Sequence, residues 1–201
     1  MSKILFLDTA CNAFPVAGQD WEPHCVRIAA IREDDGVVTG TLTRLVNSGC
    51  KLADSAQVYH HRATPDDFKR EESFPVIVAR EIADLSLGVD RIVSHHSRFH
   101  RRVLGALLDD GEFFEDRPDP EYYCTMEAAA PICQLNLPRL REAYKFFCPH
   151  VPLVEAQDWR GFADQQVAMV QQVYHGIQAS HARPDPVYQW RDKLGTTTPN
   201  E

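Results

Sequence analysis

No apolar run in this sequence approaches the roughly 20 residues needed to cross a bilayer. Nor does it open on a basic segment followed by an apolar core and a small-residue cleavage site. Both absences point to a cytoplasmic protein with no membrane partner. There is no CxxC pair either: Cys11, Cys25, Cys50, Cys124, Cys133 and Cys148 are scattered through 201 residues. A chain of this length does not need disulfides to hold a core, so reduced structural thiols are expected. No Gly/Ser-rich or charge-run linker divides it, which implies one domain over residues 1–180 and a polar, Pro-containing tail over 181–201. An excess of positive charge is also missing. With 21 Lys and Arg against 29 Asp and Glu, the net charge is -8, which excludes nucleic-acid binding through the whole surface and leaves room only for local contacts.

What the chain does have is an opening strand, Ile4-Leu5-Phe6-Leu7-Asp8-Thr9-Ala10, that delivers one carboxylate to the end of an apolar run. Cys25 to Ile31 and Val37 to Val46 flank Asp35-Gly36, a hairpin-turn pair, so the first half reads as three antiparallel strands. Thr64-Pro65-Asp66-Asp67 carries a cap residue, a Pro for the first helical position and an acidic first turn. Ser73 can cap a second helix with Val78, Ile82 and Leu85 on one face and Gly88 just past its end. Asp90 to Ser94 reads as a short strand. Ser97 opens a helix with Phe99, Val103, Ala106 and Leu107 inward, closed by Asp109-Asp110-Gly111. Tyr122 to Met126 reads as a last strand. Leu140, Ala143, Tyr144 and Phe147 mark a helix after Pro138, and Ala163, Val167, Val170, Tyr174 and Ile177 mark a long final one. The sum is an α/β fold: a mixed five-stranded sheet with helices on both faces.

Four segments, in order, bring out a resemblance. Phe6-Leu7-Asp8-Thr9 resembles the first motif (FLDTET) of the DEDD superfamily of 3′-5′ exonucleases, whose fold is RNase H-like. Ala56 to Thr64 resembles that family's passage into a helix, with His61 and Thr64 in register. Ile92 to His100 resembles its second motif, IVAHNA.FD. Cys124-Thr125-Met126, followed by Leu140-Arg141-Glu142-Ala143-Tyr144, resembles the strand and helix that precede its third. The likeness spans about residues 3–178.

The resemblance implies a particular chemistry and shows where this chain departs from it. In the family, two divalent ions about 4 Å apart clamp the scissile phosphate, held by four carboxylates because Mg²⁺ takes hard oxygen ligands. A His near the last acid orients or deprotonates the attacking water. Asp8 matches the first acid. Ala10 stands where the second belongs, on the same face two residues on. His100 stands at the motif-two acid, and His96 replaces that motif's Asn. The third motif, a His followed five residues later by Asp, has two registers. One runs from His150 to Glu155. The other aligns Ala156-Gln157-Asp158 and brings Phe162 or, with a short insertion, Asp164 to the acid; it is favoured because the family acid lies early in the final helix. The candidate catalytic residues are therefore Asp8, His100, Asp164, Glu155 and His150.

At most two acids would face about +4 of metal charge, which argues against strong two-Mg²⁺ binding. The implied function is a degenerate exonuclease-like protein with weak or no nuclease activity, kept for binding single-stranded nucleic acid or a protein partner. The competing expectation is an active enzyme with a rebuilt site: Asp8, His100 and Asp164 around one divalent ion, Mg²⁺ or Mn²⁺ if active, or Zn²⁺ since imidazole favours it. His95 and His96 also read as plain strand-end or cap residues, with His100 partly exposed. Arg98, Arg101 and Arg102 could track a phosphate backbone or pair with Asp109 and Asp110. Phe14 and Trp21 could stack on a base or pack on the domain. A scaffold with no nucleic-acid role, or a homodimer, stays open.

Overall fold

A computed structural model describes residues 2–12, 22–47, 49, 63–70, 73–109 and 120–182. The strands are β1 (Lys3–Cys11), β2 (Cys25–Asp34), β3 (Val37–Leu45), β4 (Arg91–Ser94) and β5 (Glu121–Cys124). The helices are α1 (Pro65–Arg70), α2 (Pro75–Leu85), α3 (Ser97–Asp109), α4 (Thr125–Cys133), α5 (Leu140–Phe147) and α6 (Trp159–Ala182). The sheet runs β3-β2-β1-β4-β5, with β1–β2 and β2–β3 antiparallel and β1–β4 and β4–β5 parallel. This is the mixed five-stranded sheet that the strand order implied.

β1 is the middle strand, and its side chains alternate between two buried layers. Leu5, Leu7 and Cys11 face a core made with α2 and α3, including Val78, Ile82, Val103 and Leu107. Ile4 and Phe6 face a second core made with Ala163, Val167, Val170 and Tyr174 of α6. By the same alternation Asp8 and Ala10 lie on the α6 face. α4 and α5 pack mainly on α6, Ala129, Ala143 and Tyr144 against Met169, Val173 and Ile177, while Leu140 of α5 also reaches the sheet core on the α6 face. β2 and β3 turn at Asp35 (φ 52°) and Gly36 (φ 83°), the left-handed pair a two-residue hairpin requires. Thr64 and Asp67 form the expected cap of α1: the Thr64 hydroxyl accepts from the Asp67 N–H at 3.2 Å, and the Asp67 carboxylate accepts from the Thr64 N–H at 2.7 Å.

Two local expectations are corrected. α2 is not capped by Ser73: its N-cap is Phe74, with Pro75 at the first helical position, and the Ser73 carbonyl instead accepts from Asn47 N–H at 2.9 Å. Pro75 sets the start because its φ is already helical and it has no N–H to leave unsatisfied. The last strand stops at Cys124, and Thr125 and Met126 open α4. That helix carries Pro131 inside it, which removes a ladder donor and masks helical character in the sequence, while the Ala128-Ala129-Ala130 run favours it. The passage from Ala56 to Arg62, the loop aromatics Phe14 and Trp21, Cys50, the turn at Asp110-Gly111 and the tail beyond Ala182 lie outside the described residues.

Two of the helical glycines, Gly105 and Gly176, have different surroundings. A Cβ at Gly176 of α6 would sit 2.7 Å from Cβ of Phe147, whereas one at Gly105 of α3 meets nothing within 4 Å. Gly176→Ala is expected to destabilise by about 1–2 kcal/mol, overpacking outweighing the helix gain, and Gly105→Ala to stabilise by up to about 1 kcal/mol. Urea unfolding of both variants checks the opposite signs.

Candidate functional site

The register of β1 and β2 decides what surrounds Asp8. Asp8 lies opposite Ala29, and Ala10 opposite Arg27, so Arg27 projects onto the same face as Ala10 and Asp8. A methyl group at position 10 leaves the surface of the strand open there, and the long Arg27 side chain reaches along it. Its Nη2 donates to Oδ2 of Asp8 at 2.7 Å. Both side chains are buried, at 4% and 11% exposure. Buried ions must be neutralised locally because their solvation by water is gone. The Arg27 guanidinium also lies 5.1 Å from the centroid of the Phe162 ring, in the first turns of α6. Trp159, in the same turn of α6, is buried against Leu45, which pairs with Arg27 on β3.

His100 reaches the end of β1 from α3. β4 pairs with β1 only as far as Phe6, so the Thr9 N–H has no strand partner on that side. His100 supplies one: Nδ1 accepts from the Thr9 N–H at 3.1 Å, with the Thr9 hydroxyl at 2.9 Å. A backbone N–H can only donate, so Nδ1 is unprotonated and Nε2–H donates to the His95 carbonyl at 2.9 Å. Burial holds His100 below its ordinary value, against the pull of Asp8 and of the His95 carbonyl. The ring is therefore neutral. It sits 4.0 Å from Oδ1 of Asp8, but its one lone pair is directed at Thr9.

The other histidines of this segment hold backbone. His95 Nε2–H donates to the Pro138 carbonyl at 2.8 Å, and its Nδ1 accepts from the Thr125 hydroxyl at 3.0 Å. Burial lowers it to about 4, although the Pro138 bond favours the charged form. His96 is in the left-handed region at φ 76°, and its carbonyl accepts the first N–H bonds of α3, from Phe99 and His100. These are the strand-end and cap roles expected of His95 and His96, whereas His100, expected to be partly exposed, is buried at 5% exposure because its ring fills the gap beside Thr9.

The third-motif candidates separate in space. Asp164 is exposed on α6 and its carboxylate accepts from the Thr43 hydroxyl on β3. Since Asp8 pairs with Ala29, and Ala29 with Thr43, that contact lies two strands from Asp8, about 10 Å along the sheet. His150 and Glu155 are exposed in the segment between α5 and α6. Asp158 caps α6, its Oδ1 accepting from the Gly161 N–H at 2.7 Å. The residue that α6 sets over the ion pair is Phe162. Arg98, Arg101 and Arg102 are exposed on α3, with Arg101 over the Tyr122 ring at 4.8 Å.

Arg27 is the site residue that the sequence reading missed, and a signal for it existed. It is the one charge inside Cys25-Val26-Arg27-Ile28-Ala29-Ala30-Ile31, a run apolar enough to be buried on both faces, where a charge requires a counter-charge. The carboxylate at the end of the neighbouring strand is that counter-charge.

A divalent ion at Asp8 would have to displace the guanidinium, take Nδ1 of His100 away from Thr9, and find further oxygens where Ala10 and Phe162 stand. Among the described residues no group of three His, Cys, Asp or Glu side chains is arranged to hold a metal ion. The donor set does not fit the metals that the resemblance implied.

Two outcomes follow from this geometry. Arg27→Met should cost about 3–5 kcal/mol by leaving Asp8 buried without its cation, and adding Asp8→Asn should recover most of it; denaturant unfolding of the two variants measures both. Acid should destabilise through the histidines. In the unfolded chain they protonate near 6.5, while His95 in the fold stays neutral to about 4. Stability is therefore full above 6.5 and lost as pH falls toward 4, by on the order of 2–3 kcal/mol. His95→Gln, compared by unfolding across that window, should show a shallower fall.

No protein-family model and no curated protein matches the chain. Solved structures do. Exonuclease X in complex with 5′ overhanging duplex DNA aligns at TM-score 0.54 and 17% identity over 87% of this chain and 92% of its own. E. coli exonuclease I in complex with a dT13 oligonucleotide aligns at TM-score 0.64 and 16% identity over 86% of this chain. A full-length 3′-exonuclease aligns at TM-score 0.61 and 11% identity, over 88% of this chain and 83% of its own. The chain spans 41% of that exonuclease I chain. At these identities the likeness carries the fold alone, an α/β fold shared with these exonucleases.

Proposed function

We propose that this protein is a non-catalytic form of the 3′-5′ exonuclease fold that binds single-stranded nucleic acid. The observation that carries the reading is the Arg27–Asp8 ion pair. It places a fixed cation on the carboxylate that would otherwise hold a metal ion. The charge account is closed without metal: Asp8 is balanced by Arg27, and the three other acid positions hold Ala10, a neutral His100 and Phe162. Two divalent cations added to that cleft would be uncompensated. Because the metal-ligand set does not fit, the residues support no hydrolytic step.

Binding is supported by a separate feature. Arg98, Arg101 and Arg102 recur at i, i+3 and i+4 and share one face of α3, the helix that sends His100 to the end of β1. They give an acidic chain the local basic patch that phosphate contact needs. Exonuclease I is known in complex with dA16 and dT13 oligonucleotides, and in a complex with SSB-Ct; for this chain single-stranded nucleic acid is the better supported of the two ligand classes, because the arginines suit phosphates. No described helix is long and apolar enough to cross a membrane.

The test has two arms. Labelled single-stranded DNA and RNA incubated with Mg²⁺ or Mn²⁺ should show no shortening above a protein-free control. Fluorescence anisotropy should show binding that weakens as salt rises, and Arg98→Ala/Arg102→Ala should weaken it about tenfold or more and flatten the salt slope. Shortening that Asp8→Ala abolishes would restore the enzymatic reading with a rebuilt Asp8/His100 site. No binding at any salt would favour a protein-binding scaffold.

A further inference from the structure

The last pair of the β1–β2 ladder is Cys11 opposite Cys25. The two thiols are not joined in a disulfide, both are 3% exposed, and both belong to the core on the α2/α3 face. The register shifts between Ala10 and Cys11, so Val26 is passed over and the two cysteines are brought opposite one another. Beyond them the Asn12 N–H donates to the His24 carbonyl at 3.1 Å. A bond from residue i+1 to residue j−1 flanks a non-hydrogen-bonded antiparallel pair, the kind whose Cα atoms lie about 4.5 Å apart with side chains closest. That separation falls within the range spanned by disulfides, about 4.4–6.8 Å.

We propose that Cys11 and Cys25 are a cross-strand dithiol that closes to a disulfide by exchange with a low-molecular-weight disulfide such as oxidised glutathione. One protein thiolate attacks a glutathione sulfur and displaces a glutathione thiolate. The second protein thiolate then attacks the protein sulfur of that mixed disulfide and releases the other. Two protein thiols are oxidised, one glutathione disulfide is reduced to two thiols, and the protons pass from the cysteines to glutathione.

Exchange is gated by opening of the ladder end. Burial pushes the Cys25 thiol up to about 12, its hydrogen bond to the Arg27 carbonyl pulls it down, and neighbouring Cys11 pushes it up again, so the thiolate is scarce while the strands are paired. This is the terminal pair of the ladder, however, where strands open most readily. Closure would tie β1 to β2 two residues from Arg27 and three from Asp8, fixing the strand ends that carry both partners of the buried ion pair.

Full-length protein is incubated with oxidised glutathione, acid-quenched, alkylated and digested for peptide mass spectrometry. The expected result is a disulfide-linked pair of peptides containing Cys11 and Cys25. A rise in Tm of roughly 5–10 °C should accompany it, reversed by dithiothreitol and absent in Cys25→Ala. Half-buried Cys133 serves as the reactivity control. Recovery of Cys11 and Cys25 as separate alkylated or glutathionylated peptides, under conditions that modify Cys133, would overturn the proposal.

Discussion

A carboxylate buried at the end of the central strand imposes a demand that everything near it must meet, and Arg27 meets it. Asp8 sits where the sheet passes under the start of α6, with little water to screen it. A guanidinium 2.7 Å away answers that demand. The ion pair constrains its neighbours in turn. Position 10 must be small for Arg27 to lie along the strand. The ring of Phe162 covers the guanidinium face, and any further acid would be a buried charge with no partner. Ala10, His100 and Phe162 are each compatible with a cleft neutralised by a single cation.

The histidines act as fastenings at this end of the sheet. His100 closes the hydrogen bond that β1 lacks beyond the end of β4, and His95 ties the end of β4 to the start of α4 and to the Pro138 carbonyl before α5. Both rings are held neutral by burial and use both nitrogens. Together they join β1, β4, α3, α4 and the approach to α5 at one end of the sheet. The same end carries the Asp8–Arg27 pair. Rigidity there comes from neutral hydrogen bonds and one ion pair, and it needs no ligand.

A second buried carboxylate shows the same economy at the opposite end of β2. Glu33 accepts from Gln171 at 2.8 Å and from His175 at 3.0 Å, both on α6, so the middle of α6 is docked on the sheet by these polar contacts as well as by apolar packing through Val167, Val170 and Tyr174. α6 serves as the lid of the α6-face core.

The sequence by itself determined the sheet, the helix faces and the departures at positions 10 and 100. Those depend on local periodicity, turn chemistry at Asp35-Gly36 and capping at Thr64, all carried by residues close together in the chain. It left Thr125 and Met126 in a strand because Pro131 disguised α4, and it could not choose between the two registers of the third motif. Tertiary structure sets Phe162 over Arg27 and sends Asp164 to Thr43. It also revealed Arg27 as the partner of Asp8 and Cys11 as the partner of Cys25. Both pairings run between strands, and a bulge of one residue fixes which side chains meet. Strand register is a property of two segments at once, and no pattern within either one states it.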